Sequence, residues 1–361
     1  MVRSDKPLPL KDFDEMSYER MAKEQSMKAT SYGSARDETE STSSVVAEIR
    51  CYLEELVNDF RREQPSQPGI EVDSSQEIVE SVFTIMAGRK FTHLTKNRSR
   101  VYRAAILDLL VEDAKAGRPL RFYYDIGGAY RAGIDDQQRE LSFSPALGEF
   151  FLLRQIKLFD NLVCAVYPPG TKFSLVIDNL CALLVNDIRV DKSLGYCEEL
   201  REIIRQLNLE EKVDLFVESE IFRPEDYKTD TTGVSMSPPS LGAIENVSRF
   251  LGRNCDSSEA IERMARYAVV SEQTDSKINS IIDGVRMTQR ATPATFGFRS
   301  VPGGDSRMQT GEVILTYYQD GRIKPRLVTS QSKGSTSIQQ IDVSDLIPLP
   351  CRQVGYEIVS K

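Results

Sequence analysis

A chain of 361 residues, 40% hydrophobic and 28% charged, has enough apolar content to bury a sizeable core and fits neither a fibrous nor a wholly disordered protein. A net charge of -8 argues against nucleic acid as the principal partner, since a polyanion needs a basic face. The longest apolar runs, such as Leu180 to Val185, fall far short of the roughly 18 residues that cross a bilayer, and Met1 to Lys6 is polar and charged, without the apolar stretch of a leader. The expectation is a cytoplasmic protein that acts on small molecules and engages neither nucleic acid nor membrane; the composition leaves its oligomeric state open.

Residues 1–43 mix charge with Ser, Thr and Lys and read as a flexible tail. Ser43 or Ser44 then caps a helix whose stripe runs Val45, Val46, Ile49, Tyr52, Leu53, Leu56, Val57, Phe60. Helices follow from Ser74 to Ala87 and from about Ser99 to Ala116, the latter closed by Gly117. Pro119 to Asp125 has the aromatic and apolar content of a strand and runs into Ile126-Gly127-Gly128. A polar loop through Asp135-Asp136-Gln137 leads to a long helix from near Pro145, stopped by Tyr167-Pro168-Pro169-Gly170.

Lys172 to Asp178 is the strongest strand signal, followed by a helix over 192–207 and a strand at Val213 to Val217. Strands alternating with helices at this spacing predict an α/β fold, a Rossmann-like, mostly parallel sheet with flanking helices. Lys228 to Pro239 reads as a polar lid or hinge, and further helices are expected near 241–251, 257–273 and 275–289, the last burying Ile278, Ile281, Ile282 and Val285. Short strands follow at 295–301, 312–318 and 324–329, with Asp320-Gly321 as the hairpin turn between the last two. The expected organisation is a tail (1–43), a catalytic domain with a helical and short-strand C-terminal portion (44–329), and a C-terminal extension (330–361).

Several chemistries are missing from this sequence. No Gly-x-Gly-x-x-Gly follows a strand and no P-loop motif occurs. The single histidine, His93, reads as a loop or packing residue and excludes His-rich metal centres. The six cysteines are scattered without Cys-x-x-Cys and read as reduced, mostly buried thiols. Neither a metal nor a cofactor is called for.

Ligands of open parallel sheets bind beyond the carboxyl ends of the strands, and two strand exits here are chemically loaded. The first carries Asp125, Gly127, Gly128, Tyr130 and Arg131: glycines that admit a ligand to the backbone, then a phenol and a fixed positive charge. The second is Asp178-Asn179, which either orients a hydroxyl or amine (Asp178 also serving as general base) or caps the next helix; one residue can do both. A third cluster, Phe298 to Thr310, sets Arg299, Ser306 and Arg307 about a glycine turn, either an anion site or a solvated hairpin loop.

Three stretches carry a family likeness: Gly117 to Phe122, Ser144 to Ile156, and above all Val166 to Asp178 with its Tyr-Pro-Pro-Gly before a strand closing on Asp. They resemble the isonitrile synthase (pyoverdine/dityrosine biosynthesis) family over about 98–222, extending to about 329. The resemblance implies a biosynthetic enzyme that condenses an amino acid's amine with ribulose 5-phosphate and keeps one sugar carbon as an isonitrile. It also implies Asp178, Tyr130 and Arg131 as catalytic groups and Arg121 and Glu149 as substrate contacts, with Arg299 and Arg307 on phosphate or carboxylate. The chain departs from the family in two places. Asp178-Asn179-Leu180 stands for Asp-Gly-Arg, and Ile126 to Gly133 stands for a Phe-Pro-x-Lys-Ser-Pro-Asn run, whose lysine Arg131 does not replace as a nucleophile because it stays protonated. A relative with other group-transfer chemistry on an amino acid or sugar phosphate, or an inactive scaffold, is therefore the alternative.

Overall fold

A computed structural model describes residues 39–62, 74–88, 90–92, 96–127, 131–132, 141–142, 145, 147–179, 190–221, 228–230, 233–235, 278, 281–288, 296–298, 313–327, 338–343 and 353–359. The expected helices over 241–251 and 257–273, His93 and the tail before residue 39 lie outside them. Three helices lead the chain: α1 (Thr39–Arg62), α2 (Ser75–Met86) and α3 (Lys96–Lys115). The first begins about one turn before the expected Ser43/Ser44 cap, because extending a formed helix is cheap once its first turn exists. Its stripe packs as expected, with Val45, Ile49, Leu53, Leu56, Val57 and Phe60 buried. Ser74 caps α2, its Oγ accepting from the Glu77 N–H at 3.2 Å, and Gly117 leaves α3 at φ +63°.

The five strands β1 (Leu120–Gly127), β4 (Thr171–Asp178), β5 (Val213–Val217), β8 (Val285–Thr288) and β9 (Phe296–Gly297) form one sheet in the order β5-β4-β1-β8-β9, every pairing parallel. Two hairpins, β2 (Arg131–Ala132) with β3 (Leu141–Ser142) and β6 (Lys228–Asp230) with β7 (Gly233–Ser235), stand apart from it. The second occupies the segment read as a polar linker.

Helices α4 (Leu147–Cys164) and α5 (Val190–Gln206) join β1 to β4 and β4 to β5, and the short α6 (Glu218–Ile221) follows β5. Both α4 and α5 share the main core with Phe122, Tyr124, Ile126, Phe173, Leu175 and Ile177, so they cover one face of the sheet. At the centre Phe122 stacks on Phe173 at 5.2 Å between ring centroids, and Phe159 of α4 meets both edge-on. Buried nearly all round, α4 is sandwiched between this sheet and the other elements of the core. On the opposite face Tyr123 and Val176 pack with Ile278 and Ile282.

The helix expected over 275–289 is corrected. Helical structure is present at Ile278 and Ile281, but Ile281 is exposed and Val285–Thr288 is strand β8, beside β1. Gly284 decides this. It sits at φ +138°, a conformation closed to side-chain-bearing residues, and a Cβ there would lie 2.6 Å from the Arg121 carbonyl oxygen. Helical structure ends at Ile281, and the backbone turns into the sheet through Gly284.

The carboxyl end forms a second sheet of β10 (Val313–Tyr318), β11 (Ile323–Leu327), β12 (Ile338–Asp342) and β13 (Gln353–Val359), in the order β11-β10-β13-β12. The expected turn is present, with Gly321 at φ +79° donating to the Tyr318 carbonyl at 2.8 Å. Parallel pairing of β10 with β13 joins residues on both sides of position 329. Val313, Leu315, Ile341, Val354 and Tyr356 carry this sheet into the main core.

Candidate functional site

Because all five strands of the large sheet are parallel, their carboxyl ends share one rim. The chain adds β4 and then β5 on one side of β1, then returns to add β8 and β9 on the other. The reversal falls between β1 and β8, and in open α/β sheets the ligand crevice opens at such a reversal. Gly127, the last residue of β1, pairs directly with Asp178, the last of β4. The two strand exits singled out in the sequence are therefore neighbours on one rim.

On the other side of β1, Arg286 of β8 donates to Asp125, with Nε and Nη2 at 2.9 Å and 2.8 Å from the same carboxylate oxygen, Oδ2. Both side chains are about one-quarter exposed, at 27% for Asp125 and 24% for Arg286. The guanidinium lies 5.9 Å from the Tyr123 ring centroid, a cation–π contact that holds its plane against the sheet. Arg286 was invisible to periodicity because its segment scans as the end of a helix. The signal that could have found it is Asp283-Gly284, a turn pair directly before Val285-Arg286-Met287-Thr288.

Asn179 is fully buried and clamps the exits of β4 and β5. Its Oδ1 accepts from the Ser219 N–H at 3.0 Å, and its Nδ2 donates to Ser219 Oγ at 2.6 Å. It caps, as one reading of the sequence had it, but the helix it caps is α6 rather than the one after its own strand. Glu149, in the first turn of α4, is buried and accepts from Tyr196 of α5 at 3.1 Å. Both helices start where their preceding strands end, so this contact lies toward the rim.

Arg121 is elsewhere. It stands at the amino end of β1, where its Nε donates to both Asp113 oxygens at 3.0 Å and its Nη1 meets Asp283 at 3.0 Å. Asp113 is buried and also takes Arg118 at 2.9 Å. The expected substrate contact is thus an ion-paired group at the far edge, remote from Asp125 and Asp178. The Tyr-Pro-Pro-Gly segment is at that edge too. Tyr167 donates to the Arg118 carbonyl at 2.7 Å, and Gly170, at φ +68°, leaves no room for a Cβ, which would fall 2.6 Å from Asp160 Oδ1. Asp160 in turn accepts from the Thr171 N–H at 2.7 Å and hydroxyl at 2.9 Å. The motif shapes the entry into β4.

Gly128, Tyr130, Arg299, Ser306 and Arg307 lie outside the described residues; Arg131 is seen as backbone in β2, paired with Ser142. Among the described residues no group of three or more His, Cys, Asp or Glu is placed to hold a metal, and no helix is long and apolar enough to cross a membrane. Cys164 and Cys197 are buried thiols whose ionisation burial opposes, pushing Cys197 up to about 12, whereas Cys51 is exposed.

No protein-family model matches the chain, and no curated protein matches it by sequence. Among solved structures it is similar to the PvcA protein from Pseudomonas aeruginosa, with a TM-score of 0.54 and 12% identity over 80% of this chain and 100% of the other. A tryptophanyl-tRNA synthetase homologue from Entamoeba histolytica aligns at a TM-score of 0.29 and 13% identity, over 62% of this chain and 58% of that one. The likeness to PvcA is one of fold: a mixed α/β protein with a parallel sheet flanked by helices.

Proposed function

We propose that this chain is a Rossmann-like biosynthetic enzyme of the isonitrile synthase type, which condenses an amino-acid amine with ribulose 5-phosphate in secondary metabolism. The observation that carries the reading is the pairing of Gly127 with Asp178 on one rim, one strand away from the Asp125–Arg286 pair. The sequence likeness to the family supports it, and the fold shared with PvcA is compatible with it. In this reading Asp178 takes a proton from the attacking amine or orients sugar hydroxyls, with Tyr130 and Arg131 beside it. Arg299, Ser306 and Arg307 hold the phosphate as a fork-and-backbone anion site. The reaction needs no resident cofactor from this chain.

Incubating the protein with amino acids and ribulose 5-phosphate, with mass spectrometry of the products, tests this. A condensation product that disappears in Asp178→Asn is the expected result; no product with any amino acid counts against it.

One observation favours a second reading. Where the family has Asp-Gly-Arg, this chain has Asn179 locked to Ser219, which substitutes a rigid clamp for a glycine. A relative with different group transfer on the same substrate classes accommodates that change. Thermal shifts with sugar phosphates against nucleotide sugars separate the two, since a ligand stabilises the state it binds.

A further inference from the structure

We infer that the outward face of the carboxyl-terminal sheet carries a binding site for a phosphate monoester, built from Lys324, Thr316 and Arg326 and separate from the strand-exit rim. Side chains alternate between the two faces along a strand. Val313, Leu315 and Tyr317 of β10, Ile323 of β11, and Val354 and Tyr356 of β13 pack on the main core. Thr316, Tyr318, Lys324, Arg326 and Glu357 therefore stand on the opposite face. Thr316 pairs with Lys324 on one side and with Glu357 on the other, which sets these three in one row across the sheet. The sheet itself lies between this row and the core.

Three donors on this face have no acceptor. Thr316 is buried, at 3% exposure, and its Oγ1 has no hydrogen-bond partner. Arg326 gives Nη2 to Glu357, but its Nε is without a partner too. Lys324 lies 5.8 Å from the Tyr318 ring centroid and has no carboxylate partner among the described residues, whereas its neighbour Arg322 is paired with Asp320. A buried hydroxyl left unpaired destabilises the fold, and a valine would fill the same space without that penalty. The hydroxyl makes physical sense where a ligand supplies the missing acceptor.

An ammonium, an arginine N–H and a hydroxyl about one strand position suit a tetrahedral oxyanion, which has an oxygen for each. Glu357 is the built-in competitor. Arg326 is on β11 and Glu357 on β13, so their ion pair crosses β10 and carries the arginine stem over the Thr316 row. In this arrangement Thr316 Oγ1 is closed to solvent. The anion enters by replacing Glu357 on Arg326, whose side chain is 41% exposed and turns outward to admit it. A phosphate dianion attracts the guanidinium more strongly than the single charge of Glu357, and Lys324 adds to that attraction.

The test uses inorganic phosphate, titrated against chloride at matched ionic strength and followed by phosphorus NMR line width. It is run in an Arg299→Gln/Arg307→Gln background, which removes the residues to which the proposed reaction assigns its own phosphate. Binding is expected to survive in that background. Adding Thr316→Val or Lys324→Gln weakens it on the order of 10- to 100-fold, the range for hydrogen bonds to charged groups. Adding Glu357→Gln tightens it, because the competing carboxylate is gone. Glycerol 3-phosphate, a simple monoester, binds at least as well as phosphate.

No binding in the background protein overturns the inference, as does binding that Thr316→Val and Lys324→Gln leave unchanged. Glu357→Gln without effect overturns the exchange on Arg326. Phosphate bound but glycerol 3-phosphate refused means an adventitious ion only. Should the background protein not fold, Lys324→Gln in the parent decides, since Lys324 is exposed: it must lower the phosphate bound at saturation, and an undiminished amount is the overturning result.

Discussion

Arg286 and Asp125, 161 residues apart in sequence, meet through two donors on one carboxylate oxygen at the point where the strand order of the large parallel sheet reverses. Gly284 makes this possible, since the chain enters β8 through it and the packing against Arg121 leaves it no Cβ.

Gly284→Ala therefore combines a φ of +138° with a Cβ 2.6 Å from the Arg121 carbonyl oxygen. We expect a loss of about 1–3 kcal/mol or more of folding stability, read as a lower denaturant midpoint with an unchanged slope. A variant as stable as the parent would show that the strand entry is not constrained there.

Asn179→Ala removes both hydrogen bonds to Ser219 and leaves the half-buried Ser219 N–H without its acceptor. The expected cost is about 1–3 kcal/mol. In a double-mutant cycle with Ser219→Ala the two losses are strongly non-additive, because the side chains share one contact. Additive losses would assign Asn179 a role other than the clamp.

Arg121→Gln separates structure from substrate binding. Asp113 keeps Arg118 as a partner, so the expected destabilisation is about 1–2 kcal/mol, below that of a fully orphaned buried carboxylate. Amino-acid affinity by calorimetry stays at the parent value. A selective loss of affinity would return Arg121 to the site.

Cys197 supplies a pH dependence. Burial pushes its thiol from 9.0 up to about 12 in the folded protein. Between those values the unfolded chain gives up the proton and the folded chain keeps it, so stability falls as pH rises through this window. The slope is at most about 1.4 kcal/mol per pH unit. Denaturation midpoints compared at pH 8 and pH 10 should fall less for Cys197→Ala than for the parent. Iodoacetamide at pH 9, mapped by mass spectrometry, should label exposed Cys51 and spare Cys197 in the folded protein.

The amino-acid order by itself determined the local elements: the α1 stripe, the helix start at Ser74, the Gly117 exit and strands β1, β4 and β5, each written in a period or a terminal residue a few positions long. It also determined that Asp125 lies close to the exit of one strand and Asp178 at the exit of another, from which a shared rim follows once the strands are parallel. Only the tertiary structure decided that Asn179 spends itself on Ser219, that Arg121 belongs to the far edge, and that Val285–Thr288 is a strand. Ile278, Ile281, Ile282 and Val285 carry helical spacing over eight residues, and nothing local to them reveals that β1 offers an unpaired edge for the last to join. Periodicity reports what a segment does with its own neighbours; which distant group meets which is set by sheet order, and that is a property of the whole chain.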